Sequence, residues 1–216
     1  MNQEQILADG IFRPENTWNP IFKDFSGEWV NGTGSQHGED AILAAIFNVC
    51  KPTNKYCVEI GATEGMDLNT QRFINDGWQA LLIEGMDRWW GGLEKNKSNI
   101  PNVTLLNKMV KEDEMDKVLE QHGIPEDFDL FILDIDSYDY ELWTNMKYRP
   151  HVMMVECNPD VLDLSVKSYT PNNWPKGYTS AGMFIDLFKE RDYELVCIQK
   201  FNAIFIRKDF MKELLV

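Results

Sequence analysis

Tyr56-Cys57-Val58-Glu59-Ile60-Gly61-Ala62-Thr63-Glu64-Gly65 decides how the chain is read. A short apolar run, from Tyr56 to Ile60, stops at Gly61, the mark of a buried strand closed by a turn. Similar runs recur at 79–84, 103–109, 128–134, 151–157, 193–199 and 203–207. Helical patterns lie between most of them, at 68–75, 89–99, 112–122, 139–146 and 180–191. Ahead of the first strand, Ile42, Ala45, Ile46 and Val49 also recur at helical spacing. Buried strands alternating with helices predict an α/β fold, a mostly parallel sheet with helices on both faces. Only Lys200, Phe201 and Asn202 separate the last two runs, too few residues for a crossover helix, so these runs should form an antiparallel hairpin at the sheet edge.

The length of 216 residues favours one domain, read as 36–216, preceded by an irregular N-terminal extension, 1–35, with at most a short helix. Hydrophobic residues at 44% and charged residues at 26% exclude both a disordered chain and a membrane-embedded one. Against 35 acids stand 21 Lys and Arg, a net charge of -14 that opposes binding to a nucleic-acid backbone or an anionic membrane. Cys50, Cys57, Cys157 and Cys197 are widely separated and form no C-x-x-C pair, which predicts buried thiols in a reducing compartment. Met1 to Gly10 shows no basic segment leading into an apolar run, and no apolar stretch is long enough to span a membrane; a cytoplasmic protein is the expectation. One stretch, 158–179, holds Pro159, Pro171 and Pro175 with no sustained period, and reads either as a lid over a substrate or as a plain surface loop.

The chemistry gathers at the strand ends. Glycines let a backbone approach a ligand closely, and a helix amino end after the turn would offer unpaired N–H groups; a tight turn without a ligand is the bland alternative. The dinucleotide pattern G-x-G-x-x-G is absent, and Glu59 and Glu64 would sit against a pyrophosphate at a cost in like-charge repulsion. A cationic or zwitterionic ligand suits the turn better. S-adenosylmethionine, with a sulfonium and an ammonium and no phosphate, meets that description. About 20 residues past the turn, Leu81-Leu82-Ile83-Glu84 brings an acid to the end of the next strand, the place where nucleoside-binding α/β folds hold ribose hydroxyls.

Further on, Phe131-Ile132-Leu133-Asp134-Ile135-Asp136 carries Asp134 and Asp136 on one side of a strand end, and the following strand adds Glu156 and Asn158 at the same edge. These groups suit hydrogen bonding to substrate or cofactor; a divalent metal held by Asp134, Asp136 and Asn158 is the less favoured alternative. Asp134, Asp136, Glu156 and His37 are the candidates for orienting an acceptor hydroxyl or taking its proton, with His37 also readable as a structural residue at a helix start. Trp89 and Trp90 could stack on an adenine or serve as a hydrophobic contact at a helix start. Two other readings compete. The D-x-D strand end also fits metal-dependent phosphoryl or glycosyl transfer, and the fold could belong to a non-catalytic nucleoside-binding protein.

Taken in order, Ser35-Gln36-His37-Gly38-Glu39-Asp40, Val58 to Gly65, Gly77-Trp78 leading to Leu82-Ile83-Glu84-Gly85, Leu133-Asp134-Ile135-Asp136 with Asp139-Tyr140, and Val155-Glu156-Cys157-Asn158-Pro159 resemble the FkbM-type S-adenosylmethionine-dependent methyltransferases over about 35–207. The resemblance implies a Rossmann-like class I methyltransferase fold of seven strands with an antiparallel final hairpin. It also implies Glu59 and Gly61 at the methionine end of the cofactor, Glu84 on the ribose and Asp134 near the transferred methyl group. Gln36, Ala62, Thr63, Gly65 and Gly85 fall within the matching motifs and are implied cofactor-binding positions. Thr63 stands where many class I methyltransferases have a glycine, which narrows the turn. The implied reaction is O-methylation of a small-molecule or glycan acceptor.

Overall fold

The structure is a computed structural model that describes residues 11–12, 34–135, 139–158, 164–168 and 179–211. Its strands are β1 (Ile11–Phe12), β2 (Tyr56–Ile60), β3 (Gln79–Glu84), β4 (Val103–Asn107), β5 (Leu130–Leu133), β6 (Val152–Glu156), β7 (Tyr193–Gln199) and β8 (Asn202–Arg207). Its helices are α1 (Glu39–Val49), α2 (Gln71–Asn75), α3 (Asp87–Lys97), α4 (Met115–Gln121), α5 (Asp139–Asn145) and α6 (Ala181–Glu190). All strands join one sheet in the order β1-β7-β8-β6-β5-β2-β3-β4. The sequence of pairings β4-β3-β2-β5-β6 is parallel throughout. Into this sheet β8 enters antiparallel to both β6 and β7.

The predicted parallel sheet and closing hairpin are therefore present, with two differences. The hairpin is not the sheet edge, because β1 pairs antiparallel with β7 through Ile11 with Ile198 and Phe12 with Cys197. The expected helix does not follow the glycine turn directly, either: 61–70 run as turns and bends, and α2 begins only at Gln71.

Strand alternation sorts the core onto two faces. Val58, Ile60, Leu81, Ile83, Phe131, Leu133, Met153 and Val155 pack with side chains of α4, α5 and α6. Their neighbours Cys57, Ala80, Leu82, Leu130, Ile132, Val152 and Met154 pack instead with α1, α2 and α3. Both faces are buried, which is why these strands read as continuous apolar runs. All four cysteines are buried free thiols. Among the described residues no helix is long and apolar enough to cross a membrane.

The amino-terminal edge of the sheet is fastened by Asp129, just before β5. Its carboxylate accepts N–H bonds from Thr53 at 2.8 Å, Asn54 at 2.9 Å and Lys55 at 2.6 Å, and lies 2.9 Å from His151 Nδ1. Burial disfavours this charge, yet the bonds from His151 and the three backbone N–H groups outweigh it and hold the carboxyl below its ordinary pKa. That edge is committed to structure, and the opposite edge is left for chemistry.

Candidate active site

At the carboxyl edge, β2, β3 and β6 each bring a glutamate, and all three fall on the same face. Glu59 shares its side with Cys57, Glu84 with Ala80 and Leu82, and Glu156 with Val152 and Met154, so each is directed by alternation toward the α1–α3 layer. Because β8 runs the other way, its first residue reaches this edge too, with Asn202 registered opposite Glu156. The amino end of α1 completes the wall. Between these elements lies a cavity of about 860 Å3.

Glu84 ties the edge together. Its Oε2 accepts the N–H of Thr63 at 2.8 Å and its Oε1 the N–H of Met86 at 2.7 Å, so one buried carboxylate sets the loops after both β2 and β3. Glu59 does the same for the far side of the glycine turn. It accepts N–H bonds from Asn69 and Thr70, each at 3.0 Å, and a further bond from the Thr70 hydroxyl. Burial pushes the Glu59 carboxyl above the ordinary range, against these hydrogen bonds, which favour its charged form. Lys97 is buried nearby, and while desolvation lowers its pKa, the attraction of Glu59 opposes that shift.

The turn itself needs left-handed backbone. Gly61 has φ +83°, and a Cβ there would lie 1.8 Å from the Asp134 carbonyl oxygen, so only glycine allows β2 and β5 to end so close together. Thr63 also holds a positive φ, 47°. The residue that departs from the glycine of the resembled family therefore adopts the backbone a glycine would supply, at a steric cost to its branched side chain.

Of the residues singled out from sequence, Gln36, Glu59, Gly61, Ala62, Thr63, Glu84, Gly85, Asp134 and Glu156 line the cavity. Gly65 is not among the lining residues; it is buried behind the turn, where a Cβ would meet Leu93 at 2.8 Å and Lys97 at 2.9 Å. His37 also stands outside the lining, its ring edge-on to Phe201 at 5.3 Å between centroids. Trp89 lines the cavity, whereas Trp90 packs against the core on the α1–α3 face. Asn158 does not reach the lining and donates its backbone N–H to Thr179 at 2.9 Å. Asp136 and most of the 158–179 stretch lie outside the described residues. Among the described residues no group of three or more His, Cys, Asp and Glu is placed to hold a metal ion.

Sequence reading did not single out Glu39, Asn69, Phe201 and Asn202 as site residues, yet all four line the cavity. Glu39 could have been found as the acid directly ahead of the first helical run. The alternation of β8 gives Asn202 once its strand is known to begin at this edge. Nothing local marks Asn69, which is positioned by Glu59 from another element.

No protein-family model and no curated protein matches the sequence. Among solved structures, the chain is similar to a Staphylococcus aureus protein assigned as a caffeoyl-CoA O-methyltransferase, with TM-score 0.55 and 15% identity over 89% of this chain and 93% of that one. It is similar to the CcbJ methyltransferase from Streptomyces caelestis, with TM-score 0.50 and 11% identity over 90% and 99%. A SAM-dependent methyltransferase from Aquifex aeolicus gives TM-score 0.50 and 11% identity over 87% and 95%. At such identities the likeness is one of fold, and the fold is the Rossmann-like one of the class I methyltransferases.

Proposed function

We propose that the chain is an S-adenosylmethionine-dependent methyltransferase of FkbM-like type, acting on a hydroxyl of a small or carbohydrate-type acceptor. The observation that carries this reading is the acid-lined cavity at the carboxyl edge of a class I methyltransferase fold, where Glu59 and Glu84 frame a glycine turn. Open α/β sheets bind ligands at this edge. Structural relatives described as methyltransferases, one of them as an O-methyltransferase, support the same reading.

The residues fit the cofactor. Each oxygen of Glu84 takes one backbone N–H and keeps a second lone pair, the acceptor a ribose hydroxyl needs. Beside Glu59, the Asn69 side-chain oxygen is buried with no hydrogen-bond partner, which suits the ammonium of the methionine end. Trp89 and Met86 line the wall next to Glu84 and offer apolar surface to an adenine. Bound there, the cofactor supplies an electrophilic methyl carbon on a sulfonium.

Asp134 and Glu156 line the same cavity. In this reading a carboxylate at that position would orient the acceptor hydroxyl and take its proton, while the cofactor would supply the methyl group, its methyl–sulfur bond breaking to leave the neutral thioether, with no divalent metal required. Asp136 keeps the same candidate role from sequence alone. Calorimetric titration tests the reading: S-adenosylhomocysteine should bind and NAD should not. Tighter binding of NAD, or no binding of S-adenosylhomocysteine, would overturn it.

A further inference from the structure

Acids line the cavity throughout, whereas its cations lie at one end, beside Glu84 and Asp87. Among the described lining residues the cations are Arg88 and Lys108, on the segments that follow β3 and β4. Neither is idle, for the Arg88 guanidinium lies 5.0 Å from the Trp89 ring centroid and Lys108 pairs with Glu114 at 3.2 Å. At the other end stand Glu39, Glu156 and Asn202, with no cation among the described lining residues there. In the sheet β6 is separated from β3 by β5 and β2. At about 4.8 Å per strand that is about 14 Å. That spacing is more than three times the reach of about 4 Å of an ion pair.

A second observation points to a ligand at the acidic end. Glu39, 1% exposed, has its oxygens occupied by the His37 N–H at 2.9 Å and by Asn202 Nδ2 at 2.8 Å. The bond from Nδ2 fixes which way the Asn202 amide faces. Its other prong, Oδ1, has no hydrogen-bond partner although Asn202 is only 4% exposed and lines the cavity. Buried acceptors left without donors are rare, and a donor on a ligand in the cavity, met by a small rotation of the side chain, would satisfy this one.

We propose that the Glu39–Asn202–Glu156 corner is the acceptor subsite, and that it selects hydroxyl compounds that are neutral or carry an amine over those carrying phosphate or carboxylate. The assignment rests on the methyltransferase reading and adds the class of acceptor to it. An anionic acceptor would place like charges within a few ångströms in a partly desolvated cleft, whereas hydroxyl and ammonium groups bring the donors that the corner lacks.

Ligand-observed NMR on the full chain loaded with S-adenosylhomocysteine tests the proposal, with glucosamine, glucose, glucuronate and glucose 6-phosphate as probes. Glucosamine and glucose should bind at least about tenfold more tightly than the two anions. Asn202→Leu and Glu156→Gln should each erase most of that preference while changing S-adenosylhomocysteine affinity by no more than about twofold. Should Asn202→Leu fail to fold, Glu156→Gln carries the comparison. Equal or tighter binding of the anions overturns the proposal, as does the absence of binding by all four sugars. Parallel loss of S-adenosylhomocysteine affinity in both variants would reassign the corner to the cofactor. If S-adenosylhomocysteine does not bind the unaltered chain, the methyltransferase reading itself fails, and the acceptor assignment with it.

Discussion

Replacing Gly61 by alanine should damage the fold more than the same change at Gly77, and the difference measures how tightly β2 and β5 meet at the site. Both glycines have nearly the same left-handed backbone, φ +83° and +81°. At Gly77 a Cβ enters open space, so Gly77→Ala reports the conformational penalty alone, about 1–2 kcal/mol. At Gly61 the added Cβ would lie 1.8 Å from the Asp134 carbonyl oxygen, against 3.4–4 Å for an ordinary contact. The ends of β2 and β5 must then separate at the point where the Asp134 N–H donates to the Ile60 carbonyl at 3.3 Å. Overpacking of this kind adds about 1–3 kcal/mol, for a total of about 2–5 kcal/mol. Each kcal/mol moves the midpoint by about 2–4 °C in a chain of this size. Thermal unfolding followed by circular dichroism should therefore show a fall of about 2–8 °C for Gly77→Ala and of about 4–20 °C for Gly61→Ala. A Gly61→Ala protein no less stable than Gly77→Ala would refute the close approach and the reason for glycine there.

Glu84→Ala should weaken S-adenosylhomocysteine binding by about 1–3 kcal/mol, the cost of leaving buried partners without an acceptor, and an unchanged Kd would remove Glu84 from the ribose. The tryptophan pair should separate: Trp89→Ala lowers cofactor affinity, while Trp90→Ala lowers the unfolding midpoint, and the reverse pattern would contradict their placement. Because Asp129 is held below its ordinary pKa, it adds stability that is complete above the unfolded value of about 3.9 and is lost as pH falls through the lower folded value. Urea unfolding of Asp129→Asn should accordingly show a smaller loss below about pH 4 than the unaltered chain does; identical acid profiles would deny Asp129 that role. Methyl transfer should survive EDTA, and activity lost to the chelator and restored by Mg would show that the strand-end acids hold a metal.

The sheet was legible because its central strands are buried on both faces, so that Cys57 with Val58 and Phe131 to Leu133 carry apolar side chains toward two helical layers at once. The edge β1 was not, for a two-residue pairing such as Ile11–Phe12 leaves no periodic trace. Glu84 was legible from its place at a strand end after a glycine turn. What the sequence could not show is that the same carboxylate already holds the Thr63 and Met86 N–H groups, since those bonds depend on how two loops converge. Gly65 looked like part of a ligand loop because it shares a motif with Gly61; its tight packing against Leu93 and Lys97 comes from α3, a later element. In the same way, Asn202 joins Glu39 only across 163 positions of sequence, a pairing that no local pattern announces.

The account turns on Glu84 facing the ribose of a cofactor held in the acid-lined cavity, and a crystal structure of the chain with S-adenosylhomocysteine measures that directly. The ribose hydroxyls should lie about 2.5–3.0 Å from the Glu84 carboxylate, with the adenine toward Trp89 and the methionine end toward Asn69. A cofactor product bound elsewhere, or bound in the cavity with its ribose out of reach of Glu84, would contradict the account.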